Sequence, residues 1–148
     1  MAAQVLRPGG RLAVFWNVFQ PPPDLGEAFS AVYRRVLPDS PFSRRPGGSQ
    51  RGRSGLDGYS AFFTRAAGGM RLSGAFSEPE QWRFDWDRLY TRGEWLELVP
   101  SSGGHSQLPP GQLEQLLAGI GAAIDTAGGS FTMHDTAVAV TTVRAGAA

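Results

Sequence analysis

Val5-Leu6-Arg7-Pro8-Gly9-Gly10-Arg11-Leu12-Ala13-Val14-Phe15-Trp16-Asn17 packs a helix end, a turn and a strand into one short stretch. Pro8 stops a helix, because its ring clashes with the preceding turn and it has no N–H to donate. Gly9 and Gly10 supply the backbone freedom for a tight reversal. Leu12 to Trp16 is then a continuous apolar run, apolar on both parities. That pattern fits a strand covered on both faces, as in the middle of an α/β sheet. The strand is expected to end at Asn17, just before a proline cluster. Ligands of open α/β sheets sit at the carboxyl ends of strands, so Trp16 and Asn17 are the first candidate site residues. The competing reading makes Trp16 core and Asn17 a strand terminus.

Outward from this stretch, the chain has 148 residues, enough for one domain. Its net charge of +1 gives no field that points to nucleic acid or membrane. Every basic residue is Arg, which excludes lysine-amine catalysis and a Walker-type phosphate loop from these residues. Without cysteine there is no disulfide, thiolate metal site or Cys nucleophile. His105 and His134 are the only histidines, too few for a multi-His metal site. No apolar run approaches the ~20 residues that span a bilayer, and the first ten residues do not read as a secretory signal. A soluble cytoplasmic protein is expected. Met1 to Leu6 reads like the last turns of a helix whose beginning is missing, so a truncated chain is expected as well.

Beyond the first strand, Leu25, Phe29, Val32, Tyr33 and Val36 recur at helical spacing behind Asp24, a candidate N-cap. Residues 38–58 collect breakers and charges and read as a mobile loop. Arg44, Arg45, Arg51 and Arg53 there can grip an anion or nucleic acid, but without interleaved aromatics a solvated loop is the plainer reading. Tyr59 to Ala67 reads as a short helix ended by Gly68-Gly69, with Met70 to Phe76 extended. Gln81 to Tyr90 alternates: Trp82, Phe84 and Trp86 share one strand face, and Arg83, Asp85 and Asp87 the other. Thr91-Arg92-Gly93-Glu94 matches a capping box. Pro109-Pro110 open the longest helix, with a stripe of Leu113, Leu116, Leu117, Ile120, Ala123 and Ile124, and Gly128-Gly129 close it. Phe131 to Val143 is the last strand, and residues 144–148 read as a frayed tail.

A helix ending in L-R-P-G-G before an apolar strand resembles class I methyltransferases that use S-adenosylmethionine. The second half strengthens the likeness. The aromatic strand leads into Tyr90-Thr91-Arg92-Gly93-Glu94-Trp95-Leu96, followed by a loop with His105, then Leu108-Pro109-Pro110, a helix and a final strand. This is similar to the C-terminal part of type-11-like methyltransferases of the actinobacterial type. The likeness covers nearly the whole chain. It implies a Rossmann-like α/β sheet of seven strands, with the last antiparallel and inserted between the fifth and sixth. This chain would supply strands five, six and seven with flanking helices, as a single incomplete domain over residues 1–148.

The same likeness implies a small-molecule acceptor, and a cofactor half that is absent. None of the paired glycines follows an apolar strand with G-x-G spacing and opens a helix, which is how such enzymes approach S-adenosylmethionine. The expectation is therefore no cofactor binding by this chain alone, with a further chain or a homo-oligomer as possible partners. The alternative is a non-catalytic methyltransferase-like module pairing with another chain. An unrelated small α/β binding protein is a third option. Trp86 and Tyr90, beside Trp16 and Asn17, are candidates to line an acceptor cleft, while the plainer reading of Tyr90 is packing that staples the following helix. Asp85 and Asp87 can do acid–base work or be solvated carboxylates. His105 is the candidate base, since an imidazole titrates near neutrality. Its plainer reading is a structural histidine, the role expected of His134.

Overall fold

The structure, a computed structural model, describes residues 2–39, 55–102 and 104–146. Most of the 38–58 loop lies outside them, with Arg44, Arg45, Arg51 and Arg53, as do residues 147–148 of the tail. The elements are α1 (Ala2–Val5), β1 (Arg11–Gln20), α2 (Pro23–Val36), α3 (Ser60–Leu72), β2 (Glu80–Thr91), α4 (Arg92–Leu98), α5 (Pro110–Thr126) and β3 (Ser130–Val143). The fold is α/β, with one three-stranded antiparallel sheet in the order β1-β3-β2 and flanking helices. The last strand in sequence is thus the middle strand in space.

The chain divides into two compact units, one built from Met1–Phe19, Arg53–Trp86 and Asp135–Ala148, the other from Gln20–Gly52 and Asp87–His134. In the first, Gly9 takes φ 78°, the left-handed turn that glycine tolerates. The Gly9 N–H donates to the Arg144 carbonyl, and the Arg144 N–H donates to Gly10. Arg144 also bridges to Phe76, and the Ala145 N–H donates to Ala75. The core of this unit is Phe63 and Met70 of α3 against Val138 and Val140 of β3, with Leu12, Trp16 and Tyr59 packed around them.

Two expectations about this unit need correction. The helix does not end at Gly68-Gly69, and Met70 is not in an extended segment: α3 runs on to Leu72. Each glycine costs a helix about 1 kcal/mol, yet buried Met70 lies beyond both and gives the last turn something to pack on. Nor is β1 a central strand covered on both faces. It is an edge strand, it continues past Asn17 to Gln20, and only one face is packed. Leu12 and Trp16 face α3, while Phe15, of the opposite parity, is 69% exposed.

In the second unit the apolar stripes behave as their spacing predicts. Leu25, Phe29, Val32 and Val36 of α2 meet Leu116, Ile120 and Ile124 of α5, with Phe131 and Met133 of β3 completing the core. The two helices approach closely: a Cβ on Gly119 would stand 2.6 Å from Val32 Cγ1. The predicted N-cap Asp24 instead occupies the first turn, because α2 begins at Pro23, with Pro22 in the cap position; proline pre-sets the φ that a first helical residue needs. Thr91 and Glu94 form both bonds of the capping box. Gly128 and Gly129, at φ 102° and 84°, end the segment after α5.

Candidate functional site

Parity along the strands decides which predicted residues can act together. The Thr136 hydroxyl donates to Asp85 Oδ1 at 2.7 Å, so these two residues share a sheet face. Thr136 has the parity of Val138 and Val140, which pack on α3. Asp85 therefore lies on the α3 face, and Trp82, Phe84 and Trp86 lie on the other. Trp16 belongs to the α3 face, 5.2 Å from the Phe63 ring. Asn17 belongs to the face of Trp86. The structure thus separates Trp16 from Trp86 and leaves Asn17, exposed, on the aromatic side.

That aromatic side of the first unit is open. Trp82, Phe84 and Trp86 are 42%, 57% and 43% exposed. A period-2 strand with one aromatic face is normally read as half-buried; here neither face of β2 is covered before Tyr90. The Arg11 guanidinium lies 5.1 Å from the Trp82 ring centroid, a cation–π contact, and donates to Thr141 Oγ1 at 3.2 Å. On the α3 face, Arg83 ion-pairs with Asp85 at 2.8 Å, which holds the arginine above its ordinary pKa. Asp85 therefore serves a cross-strand tie and a salt bridge.

In the second unit Tyr90 is buried among aromatic rings, 5.1 Å from Trp95 and 6.0 Å from Phe131, and Arg88 lies over its ring. His105 is 4% exposed in a short turn of 3-10 helix, His105–Gln107. Its Nδ1 lies 2.8 Å from the Val99 carbonyl, which can only accept, so Nδ1 carries the proton. The Tyr33 hydroxyl, 3.1 Å from Nε2, then donates to the remaining lone pair. Both nitrogens are engaged inside the fold, linking α2 to the turn after α4.

His134 is placed differently. Its side chain is 45% exposed, and its Nδ1 stands 2.7 Å from Asp87 Oδ1. A carboxylate against one imidazole nitrogen fixes the ring's orientation and tautomer. Of the two histidines, His134 is the one partly open to solvent. The spacing of Asp87 and His134 along the chain carries no signal of this pair; only the register of β2 against β3 creates it.

Among the concavities of the described residues, two shallow ones lie in the second unit. One, about 430 Å³, is lined by Leu96, Leu113 and Leu117 with Arg92 and Glu114. The other, about 420 Å³, lies along Arg35, Val36 and Gly119. Neither includes Trp16, Asn17, Trp86, Tyr90 or His105. No group of three or more His, Asp or Glu side chains suited to a metal ion occurs among the described residues. No helix among them is long and apolar enough to cross a membrane. No protein-family model and no curated protein sequence matches the chain.

Proposed function

We propose that this chain carries the acceptor-side sheet of a class I S-adenosylmethionine-dependent methyltransferase with a small-molecule acceptor. The observation that carries the reading is the strand order β1-β3-β2, with the final strand antiparallel between its neighbours. That is the order expected if the three strands stand for the fifth, seventh and sixth of the methyltransferase sheet. The edge position of β1 supports it further, because a strand apolar on both parities at an open edge lacks the neighbour its composition calls for.

On this reading the cofactor is held by polypeptide outside these 148 residues, and the residues alone do not transfer methyl groups. Asn17 and Trp86, on the open sheet face, are the acceptor-side candidates. His105 acts by holding α2 in place. Methyl transfer itself draws mainly on alignment of donor and acceptor. A cytoplasmic, water-soluble enzyme fits the composition.

The second reading, a non-catalytic module that pairs with another chain, draws on the same open edge of β1. Two measurements separate these readings. The DNA upstream of the Met1 codon should encode, in frame, an apolar strand followed by a glycine-rich G-x-G turn and a helix. If that segment lies instead in a separate neighbouring reading frame, the two-chain module is favoured, and if it lies in neither, both readings fail. Calorimetry of the 148 residues with S-adenosylmethionine should show no heat of binding, and micromolar binding would contradict the assignment of the cofactor site to other polypeptide.

A further inference from the structure

The open sheet face of the first unit has a relief of its own. Its floor is the central strand, where Ala137 and Ala139 present only methyl groups. Along one side stands a ridge of three aromatic rings, Trp82, Phe84 and Trp86, and on the other side Phe15 projects from β1. Alternate residues of a strand repeat every ~6.8 Å, so the ridge and the floor share one spacing. A ridge of large side chains beside a trough of small ones, at equal pitch, is complementary to a copy of itself turned about a two-fold axis.

We propose that this face is a homodimer interface, in which the Trp82-Phe84-Trp86 ridge of each copy seats in the Ala137-Ala139 trough of the other. The partner is a second copy of this chain, for two reasons. The first is area. An aromatic side chain carries ~150–250 Å² of surface, so four rings at 42% to 69% exposure leave on the order of 450 Å² open. That lies within the ~300–600 Å² of the largest patch on a typical monomer. Arg11, Ala13 and Asn17, exposed beside them, add to that area, against the ~800 Å² that one partner contributes to a standard interface.

The second reason is charge. The middle of the face carries no charged side chain. Arg11 and Glu80, of opposite sign, both stand against Trp82 at one end, with the Trp82 indole donating to Glu80 at 3.2 Å. Asp135, at the other end of the floor, is itself buried. Two copies therefore meet without like-charge repulsion, and an isologous contact uses the same patch twice. This proposal does not rest on the methyltransferase reading, but it uses the same open face: Asn17 and Trp86, the acceptor-side candidates of that reading, lie within the interface.

Sedimentation analysis of the 148-residue chain tests it. At roughly 100 μM the mass should be twice 15.9 kDa. Phe84→Glu places a charge mid-ridge, and it should return the mass to that of one chain while the circular dichroism spectrum stays that of the parent. Ala137→Arg should do the same by filling the trough. If both variants lose the native spectrum, tryptophan emission of the parent decides: it should shift to shorter wavelength with concentration as Trp82 and Trp86 become buried. A single-chain mass for the parent at that concentration overturns the proposal. So does a dimer that persists in a natively folded Phe84→Glu chain, or an emission maximum that does not move with concentration.

Discussion

His105 is fixed at both ring nitrogens, one donating to Val99 and the other accepting from Tyr33. A buried imidazole so engaged acts as a clamp, and its removal breaks its bonds to Tyr33 and to Val99. Each lost hydrogen bond costs about 1 kcal/mol, and a polar group left buried and unsatisfied costs up to about 3. His105→Ala is therefore expected to lower stability by about 2–4 kcal/mol, and Tyr33→Phe by about 1. Both should appear as a lower urea midpoint with an unchanged slope. An unchanged midpoint for His105→Ala would remove the clamp. The sequence around His105, a run of Ser and Gly, reads as an exposed loop because burial here is non-local: the covering residue, Tyr33, lies 72 positions away. His134 shows the converse. It sits in a strand rich in Thr and Val, which reads as interior, yet its parity turns it toward Asp87 and solvent.

Among the elements, α4 was fully legible, because its signal is local. The Thr91 N–H and hydroxyl both donate to the Glu94 carboxylate at 2.8 Å, and the Glu94 N–H donates to the Thr91 hydroxyl at 3.3 Å. The backbone bond, then the hydroxyl bond, hold Glu94 below the ordinary glutamate pKa, with the charge of Arg88 adding a little and burial opposing. A carboxylate whose pKa is lowered by folding stabilises the fold at pH above its unfolded value. That contribution fades as the pH falls through the folded value. The capping box should thus be intact at neutral pH and lost in acid, below the ordinary glutamate range. Thr91→Ala should cost about 1 kcal/mol at pH 7, or a fall of roughly 2–4 °C in melting temperature. The gap between parent and variant should narrow in acid; a gap independent of pH would mean that Glu94 contributes nothing through its charge. For β1 and α3 the local signal was incomplete. Pattern identifies β1 as a strand, but nothing in it distinguishes a strand covered on both faces from one with a face left open. Gly68-Gly69 reads as a stop, and only the seat of Met70 between α3 and the sheet shows why the helix continues.

At the scale of the whole molecule, the strand order was not readable from periodicity, because three apolar runs can be paired in several ways. Only the resemblance of the motifs to a family sheet offered an order beforehand; the observed order is β1-β3-β2. Its consequence is an unequal sheet. β3 is hydrogen-bonded on both sides, with Thr136, Val138, Val140 and Thr141 all but inaccessible. β1 is bonded on one side, so every second amide of Arg11–Gln20 points away from the sheet. Amides held in a buried central strand exchange only through large-scale opening, whereas outward amides of an edge exchange through local fluctuation. Hydrogen exchange of the 148 residues should therefore protect nearly all of Phe131–Val143 but only alternate positions of β1. Face-to-face pairing through Trp82, Phe84 and Trp86 leaves this alternation intact, because it does not touch the edge. A chain that adds a strand beside β1, as the methyltransferase reading requires, would protect both sets. Continuous protection along β1 in the isolated 148 residues would show the edge already paired with another copy, and would move the self-association from the face to the edge.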